Sequence, residues 1–361
     1  MTQPLILDIR DLTVEFRQGR RNPPLRAVDG VSLSIAAGET VGLVGESGSG
    51  KSTIGRAVLG LNPVHSGHVH FEGTDITRAR PRTRRELSAR LQVVFQDPYS
   101  SLNPARTIGQ TLAEPLLVHQ KTDHRQTGAR ITEMLERVGM PADTAGRYPG
   151  QFSGGQRQRI AIARALMLEP SLVICDEPVS ALDLSIQAQV MNLLAELQSE
   201  LSLSYLFIAH DLPVVRHLSH RIVVLYRGQV MESGPAETVY SDPVHPYTQA
   251  LLEAVPEPDP RAQRARRATR DAVQSTRAPA AAGCVFAHRC PHAVDTCHRE
   301  RPPLLSISGR GESHSEGGRA VACHRSAELH PLSVTREDQP QEDQSTAVGS
   351  TGKEAPCSES A

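Results

Sequence analysis

The segment VGLVGESGSGKST, residues 41–53, constrains the fold of this chain more than any other stretch. A short run of β-branched and apolar residues leads into a glycine-rich turn, and the turn leads into residues typical of a helix start. Gly45, Gly48 and Gly50 let backbone N–H groups approach an anion closely, and the following helix adds the positive end of its dipole. The sequence therefore predicts a strand–turn–helix unit that holds phosphate groups.

The side chains of the same loop suit phosphates and a metal ion. Lys51 places a cation on the outer phosphates, and the hydroxyl of Ser52 can ligate Mg2+. Ser47 and Thr53 complete the predicted phosphate-binding set. The alternative is a flexible turn that happens to contain lysine. The strand before the loop and the helix after it argue against that alternative.

A second predicted strand, SLVICDEP at residues 171–178, ends in two carboxylates. Asp176 stands at the strand tip beside the phosphate loop and is predicted to hold Mg2+ through water. Glu177 is the candidate general base for an attacking water, a role that contributes about a hundred- to ten-thousand-fold to a rate. Such a pair often merely begins a polar loop, but an alternating strand–helix pattern around it favours a catalytic site.

Strands and helices alternate through the compact part of the chain, residues 5–256. This alternation predicts a largely parallel, doubly wound α/β sheet. Residues 1–16 alternate apolar and polar side chains and predict an edge strand. The other predicted strands cover residues 39–45, 91–96, 171–177, 204–210 and 221–226. The predicted helices cover residues 153–168 and 184–201.

Composition excludes some functions. The formal net charge is −1, which gives no general attraction to nucleic acid or acidic lipid. No uncharged apolar run is long enough to span a bilayer, and the N-terminus lacks the character of a signal peptide. The sequence therefore predicts a cytosolic protein, or one held at a membrane by a partner, with no nucleic-acid partner.

The segment FSGGQRQR, residues 152–159, resembles the signature motif of ABC-type ATPases, with Phe152 in place of the usual leucine. Other motifs of that family follow in the expected order. Gln96 resembles the Q-loop glutamine, Asp183 in SALD resembles the D-loop aspartate, and His210 resembles the switch histidine. The resemblance implies an ABC-type P-loop NTPase domain with a helical signature subdomain, which binds and hydrolyses ATP with Mg2+.

This resemblance also assigns roles to residues. Glu177, His210 and Gln96 are implied as catalytic, and Gln96 joins Ser52 and Asp176 as a Mg2+ ligand. Two such ATPase domains face head to tail, so that one subunit's signature helix contacts the ATP of the other. The implied contact residues are Ser153, Gly154, Gly155 and Gln156. One domain alone then cannot complete a site, and a second ATPase subunit is expected.

The adenine contact stays open. The family usually stacks adenine on an aromatic side chain upstream of the phosphate loop. The chain offers Phe16, whereas the position two residues later is Gln18. Phe16 is therefore either an adenine contact or a core residue.

Two further segments resemble the peptide and nickel importers of this family. DPVHPYTQALLEAVPEPDP, residues 242–260, resembles the extension that follows their ATPase core, and residues 55–73 are similar to the F-type second ATPase of oligopeptide and dipeptide permeases. His245, Pro246 and Tyr247 in that extension are interpreted as packing residues.

This branch implies ATP-driven import of peptides from the cytoplasmic face of the membrane. Its implied partners are a distinct second ATPase in a heterodimer, two transmembrane permease subunits and a periplasmic or lipid-anchored binding protein. One alternative keeps this machine and changes the cargo to nickel or another solute. Another is a soluble ABC ATPase without a membrane partner.

Four of the six cysteines gather beyond the ATPase core with the spacing C-x5-C-x6-C-x25-C. They are Cys284, Cys290, Cys297 and Cys323. A reducing compartment disfavours disulfides. Zinc accepts four such ligands, but its usual C-x2-4-C pairs are absent from this sequence. A 4Fe-4S cluster tolerates looser spacing and often has proline after a cysteine, as at Pro291.

Peptide-importer ATPases with a similar extension carry such a cluster, so the resemblance favours it. Zinc and unligated thiols stay as the alternatives. Because this region is far in sequence from the nucleotide motifs, we expect a structural or redox-sensing role and no part in hydrolysis. The predicted division of the chain is an ATPase domain at 5–256 with its importer-type extension from about 235, a linker at 257–282, a cysteine-bearing C-terminal extension at 283–325 and a disordered tail at 326–361.

Overall fold

The computed structural model describes residues 4–19, 23–119, 123–255, 282–307 and 318–330. The strands in chain order are β1 Leu5–Phe16, β2 Leu25–Ala36, β3 Thr40–Val44, β4 Ser66–Phe71, β5 Thr74–Asp75, β6 Leu91–Val94, β7 Leu172–Asp176, β8 Ser204–Ala209, β9 Arg221–Tyr226, β10 Gln229–Pro235, β11 Leu305–Ile307 and β12 Arg319–Val321.

The helices are α1 Lys51–Val58, α2 Pro81–Leu87, α3 Ile108–His119, α4 His124–Arg137, α5 Gly154–Leu166, α6 Leu184–Leu201, α7 Leu212–Leu218, α8 Ala236–Ser241, α9 Pro246–Glu253, α10 Asp295–Arg299 and α11 Ser326–Leu329. Two 3-10 helices, Ala142–Gly146 and Pro149–Gln151, precede α5. Within the described residues, no helix is both long enough and apolar enough to cross a membrane.

The main sheet has the strand order β11-β12-β10-β9-β3-β8-β7-β6. Its strands β9, β3, β8, β7 and β6 are parallel neighbours, as the strand–helix alternation predicted. These strands are almost wholly buried because both faces are covered, one by helices and the other by α1 together with the antiparallel sheet, which explains their continuous apolar runs. Parallel strands end at a common edge, so the residues that follow β3, β7 and β8 meet there.

A second sheet is antiparallel, with the strand order β2-β1-β4-β5. The prediction that the N-terminal segment is an edge strand is wrong, because β1 pairs with β2 on one side and β4 on the other. The alternation itself is real: Leu7, Ile9 and Val14 are buried in one apolar cluster that also covers one face of the main sheet. Alternation reports which face is buried, and it does not report how many neighbours a strand has.

Helices α3, α4 and α5 pack together and form the helical part that the signature motif implied. Helix α6 has the predicted bounds, residues 184–201, and its apolar residues form one stripe along the helix. Val190, Leu193, Leu194 and Leu197 of that stripe are buried. Ile186 is partly buried and packs against the same core.

The C-terminal extension is continuous with the ATPase sheet. Strand β12 pairs with β10, where Glu232 lies opposite Val321, and β11 pairs with β12. Described structure also continues through α11 to His330, the fifth residue of the predicted tail that starts at 326. The predicted linker lies outside the described residues except for Ala282, and so does the rest of the tail with Cys357.

A buried ion network fastens this extension to the core. Arg319 on β12 donates to Glu232 on β10 through Nη2, at 3.0 Å, and through Nε, at 3.2 Å. The same Glu232 carboxylate accepts the N–H groups of Val244, at 3.0 Å, and His245, at 2.9 Å. Asp242 adds a second carboxylate, 3.1 Å from Arg319 Nη1. The buried carboxylate of Glu232 therefore joins three segments, namely β10, β12 and residues 242–245.

Arg319→Ala should destabilise the fold by about 3–5 kcal/mol, because it leaves the fully buried Glu232 carboxylate without its cation. Urea unfolding followed by circular dichroism measures this change. The control is Arg82→Ala, which removes an exposed arginine of α2 and should change stability by less than about 0.5 kcal/mol. Equal unfolding midpoints for the two variants would contradict the structural role assigned to the network.

Candidate nucleotide-binding and catalytic site

The predicted phosphate loop connects β3 to α1 at the carboxyl edge of the main sheet. Gly48 and Gly50 have φ values of 78° and 105°, in the region that favours glycine. A Cβ atom on Gly50 would lie 2.4 Å from the carbonyl oxygen of Ala27 on β2. The backbone conformation favours glycine at both positions, and the close approach of the Ala27 carbonyl also requires it at Gly50. Without side chains at these positions, the backbone N–H groups of the loop can face an anion.

Lys51 begins α1 and is almost fully buried. Its Nζ donates to the carbonyl oxygens of Gly45, at 2.7 Å, and Glu46, at 3.0 Å. Burial lowers the pKa of Lys51, while the carboxylates of Glu177, Asp176 and Glu46 act in the opposite direction. The ammonium group is thus held at the loop, where the sequence predicted a cation for the outer phosphates.

Ser52 and Asp176, both predicted Mg2+ ligands, are brought together by the parallel strands. Ser52 Oγ donates to Asp176 Oδ1 at 2.6 Å. Asp176 ends β7 and is buried. A hydroxyl and a carboxylate oxygen suit a hard cation such as Mg2+, so this pair fits the metal that the family uses.

Glu177 adopts a left-handed conformation, with φ of 50°, directly after β7. Its N–H donates to the carbonyl oxygen of Ile208 on β8 at 2.9 Å. Its Oε2 accepts from Gln96 Nε2 at 2.9 Å and lies 3.8 Å from His210 Nδ1. The structure therefore brings the three predicted catalytic side chains to one point, on a backbone strained in a way common at functional sites.

Two residues of this cleft were not predicted. Ser180 Oγ donates to the carbonyl oxygen of Glu177 at 3.1 Å and lies 3.3 Å from Gln96 Nε2. Asp211 lines the cleft beside His210, and its Oδ1 lacks a hydrogen-bond partner among the described residues. Burial raises the pKa of Asp211. Both residues lie in motifs that the sequence analysis used, SALD for Ser180 and AHDL for Asp211. Residue type alone did not distinguish these two from other polar residues of the loops.

The signature motif forms the N-terminus of α5. Ser153 Oγ accepts the Gln156 N–H at 3.4 Å, and Gln156 Oε1 accepts the Ser153 N–H at 3.0 Å, which completes a capping box. A Cβ atom on Gly155 would lie 2.4 Å from Cγ2 of Ile186 on α6. The glycine therefore allows α5 and α6 to pack closely at their N-terminal ends, next to Gly154.

Asp183 caps α6 at the same place. Its Oδ1 accepts from Ser185 Oγ at 2.7 Å and from the Ile186 N–H at 3.0 Å. These hydrogen bonds lower the pKa of Asp183. Leu184, the next residue, has 83% of its surface exposed. The signature motif and the D-loop thus share one surface.

Phe16 lies at the end of β1 with 37% of its surface exposed. The alternative that it is a core residue is therefore wrong. Gln18 is exposed as well. Adenine stacking on Phe16 stays a prediction.

Cys284, Cys290, Cys297 and Cys323 line one cavity, although the last is distant in sequence. All four are free thiols, and within the described ranges no group of three metal-binding side chains is placed to hold a metal ion. The cavity has an empty volume of about 340 Å3, including the part open to solvent. Burial raises the pKa of Cys290 to about 11, so that a thiolate there needs a nearby cation.

The cysteine region contacts the phosphate loop, despite its distance in sequence. Arg289 Nη1 lies 2.9 Å and 3.0 Å from the two carboxylate oxygens of Glu46. Tyr247 was interpreted as a packing residue, and it is buried, but its Oη also accepts the Glu46 N–H at 2.9 Å. No pattern in the sequence indicated a functional role for Glu46 or Arg289.

A strand-linked phosphate loop, a carboxylate pair at the neighbouring strand end and a separate capped signature helix define an ABC-type ATPase. The family model for ABC transporters matches residues 28–180, and that for the oligopeptide/dipeptide transporter C-terminal region matches residues 231–297. The chain belongs to the ATP-binding subunits of ABC transporters that carry this C-terminal region.

Curated relatives agree with this placement. A putative peptide import ATP-binding protein of Brucella abortus (strain 2308) is 49% identical over 321 residues, which cover 88% of this chain and 91% of the relative. A probable peptide ABC transporter ATP-binding protein of Sinorhizobium fredii is 49% identical over 302 residues, which cover 84% and 83%.

Solved structures agree as well. A dimeric ATP-binding cassette in a post-hydrolysis state, bound to ADP and Pi, matches with a TM-score of 0.58 at 28% identity, over 64% of this chain and 98% of that one. CbiO1 of Clostridium perfringens, part of the ABC transporter complex cbiONQ, matches with a TM-score of 0.59 at 27% identity, over 66% and 92%.

Gly50→Ala should abolish nucleotide binding, because the added methyl group collides with the Ala27 carbonyl and adds about 1–3 kcal/mol of backbone strain. Binding of a fluorescent ATP analogue to the purified chain measures the effect. Gly128→Ala is the matched control, since a Cβ atom on Gly128 in α4 meets no atom within 4 Å. The control should bind normally and gain about 0.5–1 kcal/mol of stability; normal binding by Gly50→Ala would refute the loop assignment.

Proposed function

We propose that this chain is the ATP-hydrolysing subunit of an ABC importer of peptides. The observation that carries the proposal is the convergence of Gln96 and His210 on Glu177, beside the Ser52–Asp176 pair at the phosphate loop. Two relatives at 49% identity are named as peptide import or peptide transport ATP-binding proteins, which supports the cargo class.

The residues divide the work of hydrolysis. N–H groups of Ser47, Gly48, Gly50 and their neighbours cradle the phosphates, Lys51 neutralises their charge, and Thr53 follows at the helix start. Ser52, Gln96 and, through water, Asp176 would hold Mg2+, which would supply neutralisation of charge on the phosphate oxygens.

Glu177 accepts the proton of the attacking water, and His210 and Gln96 hold the water and this carboxylate in place. The strained backbone of Glu177 and its hydrogen bond to Ile208 fix the direction of the carboxylate.

A second ATPase subunit completes each site. Ser153, Gly154, Gly155 and Gln156 form a capped helix N-terminus. The N–H groups of Ser153 and Gln156 are used in the capping box, so those of Gly154 and Gly155, together with the helix dipole, suit the γ-phosphate of ATP bound by the partner. Asp183 and the exposed Leu184 extend the same surface, which suits a protein contact. A distinct F-type pairing in a heterodimer follows from the resemblance at residues 55–73.

The same assembly includes two transmembrane permease subunits and a periplasmic or lipid-anchored binding protein, with this chain peripheral on the cytoplasmic face. Nickel import uses the same machine, but the names of the relatives favour peptides. A soluble ABC ATPase without a membrane partner is disfavoured by the match to the oligopeptide/dipeptide transporter region. Co-purification with the permease subunits from membranes tests the assembly.

The cysteine-lined cavity is proposed to hold a 4Fe-4S cluster. Four thiols surround one space, which fits a cluster of several metal ions. In the described part of the chain no group of three metal-binding side chains is placed to hold a metal ion, so the resemblance, and not this geometry, favours the cluster over zinc. Cys284, Cys290, Cys297 and Cys323 would be the ligands, and a bound cluster supplies covalent cross-links and one-electron chemistry.

Glu177→Gln should lower ATP hydrolysis by the assembled transporter about a hundred- to ten-thousand-fold, because the amide cannot accept the water's proton. ATP binding should persist, since the phosphate loop is unchanged. Phosphate release and nucleotide binding are measured in parallel. Glu86→Gln, which alters an exposed carboxylate on α2, is the control and should hydrolyse ATP normally. Undiminished hydrolysis by Glu177→Gln would remove this residue from the mechanism.

Anaerobically purified chain should contain about four iron and four sulfide per molecule and absorb near 400 nm. Cys290→Ser should lose most of this iron because it removes one ligand. Cys357→Ser changes a cysteine outside the proposed ligand set and should keep it. If the purified protein is colourless and contains stoichiometric zinc, the cluster proposal is wrong and the zinc alternative holds.

A further inference from the structure

Glu46 places an unexpected carboxylate inside the phosphate loop. It lies between Gly45 and Ser47, and its carbonyl oxygen accepts a hydrogen bond from Lys51. An unpaired carboxylate at this position would repel the polyphosphate anion that the loop is built to hold. The loop therefore needs a partner for Glu46 if it is to bind nucleotide well.

That partner is Arg289 of the cysteine region. Its Nη1 lies 2.9 Å from Oε1 and 3.0 Å from Oε2 of Glu46, so that a single guanidinium nitrogen donates to both carboxylate oxygens. The backbone N–H of Glu46 also donates to Tyr247 Oη. Arg289 and Tyr247, both far along the chain, therefore hold the side chain and the backbone of Glu46.

The guanidinium is oriented before any nucleotide binds. The Cζ atom of Arg289 lies 5.9 Å from the ring centre of Tyr226 and 5.6 Å from that of Phe286. The two rings meet edge to face at 5.5 Å, and Phe286 is buried. Packing against these rings restricts the arginine's rotamers, so that less entropy is lost when it pairs with Glu46.

Phe286 also connects Arg289 to the cysteine-lined cavity. Phe286 lines that cavity together with Cys290, and the Cys290 N–H donates to the Phe286 carbonyl oxygen at 3.1 Å. Tyr247 packs on Phe286 with ring centres 5.3 Å apart. The short turn from Phe286 to Cys290 thus links the cavity to Arg289 and Tyr247, which contact the phosphate loop.

We propose that Arg289 is a positioning residue of the ATP site, which neutralises Glu46 and holds the phosphate loop in the form that accepts nucleotide. The inference rests on the proposed ATP-hydrolysing function and extends the site to a residue outside the ATPase motifs. It also makes the C-terminal extension part of the nucleotide site. This ion pair is half-buried, and pairs that solvent still reaches add little to stability, so the expected effect is mainly on anion binding and not on folding.

The test is direct ATP binding by the purified full-length chain, with a fluorescent ATP analogue and competition by ATP. Arg289→Ala should raise the Kd for ATP about three- to thirty-fold, because an unpaired carboxylate now faces the anion. Arg289→Lys should recover part of the affinity, since it restores a cation. Raising the salt concentration should narrow the difference between Arg289→Ala and the unaltered chain, because salt screens the repulsion.

Glu46→Gln separates electrostatics from a merely structural contact. In the background of Glu46→Gln, the Arg289→Ala substitution should cost less than about twofold, because no charge is left to neutralise. Arg299→Ala is the matched control in the same region: it removes an exposed arginine from α10 that pairs with Asp295, and it should bind ATP normally.

The outcomes are distinct. If the unaltered chain is folded and does not bind ATP, both the proposed function and this inference fail. If it binds ATP and Arg289→Ala binds equally well, the inference alone fails. An equal loss of affinity on Arg289→Ala with and without Glu46→Gln would also overturn it, since the effect would then not pass through the carboxylate.

Discussion

The parallel pairing of β3 with β8, and of β8 with β7, determines where the chemistry of this protein takes place. Parallel strands end at one edge of the sheet, so the phosphate loop after β3, the carboxylates after β7 and the histidine after β8 become neighbours. Ser52 can then donate to Asp176 at 2.6 Å across a large separation in sequence. A shift of one residue in this register would turn these side chains to the other face of the sheet and separate them.

The C-terminal extension belongs to the same structural unit. Strand β12 continues the main sheet, and the Arg319–Glu232 network fastens it there. Phe286 stands between the cysteine-lined cavity and Tyr247, whose hydroxyl accepts the N–H of Glu46. A metal centre in this cavity and a nucleotide at the loop would therefore be separated by a few packed side chains, which gives the extension a physical route to influence ATP binding.

The surface around the signature helix supports the proposal that a second ATPase subunit completes the site. Helix α5 begins with a capping box, and its first-turn N–H groups have no intrahelical acceptors. The neighbouring D-loop is fixed by the Asp183 cap, while Leu184 stays exposed. A helix N-terminus suits an anion, so this surface favours a partner that brings a phosphate to it.

The sequence by itself determined the local structure: the glycine loop, the parallel strands, the bounds of α6, and the residues Gln96, Glu177 and His210 as a candidate set. The loop, the strand–helix alternation and the helix bounds follow from short-range periodicity and turn chemistry, which act between residues a few positions apart. Gln96 and His210 were instead assigned by the resemblance of their motifs to those of ABC-type ATPases. Tertiary structure alone decided that β1 has two neighbours, that Phe16 is exposed, and that Arg289 meets Glu46. Those contacts depend on long-range strand pairing and on the free energy of burying whole surfaces, and neither leaves a pattern in any one segment of the chain.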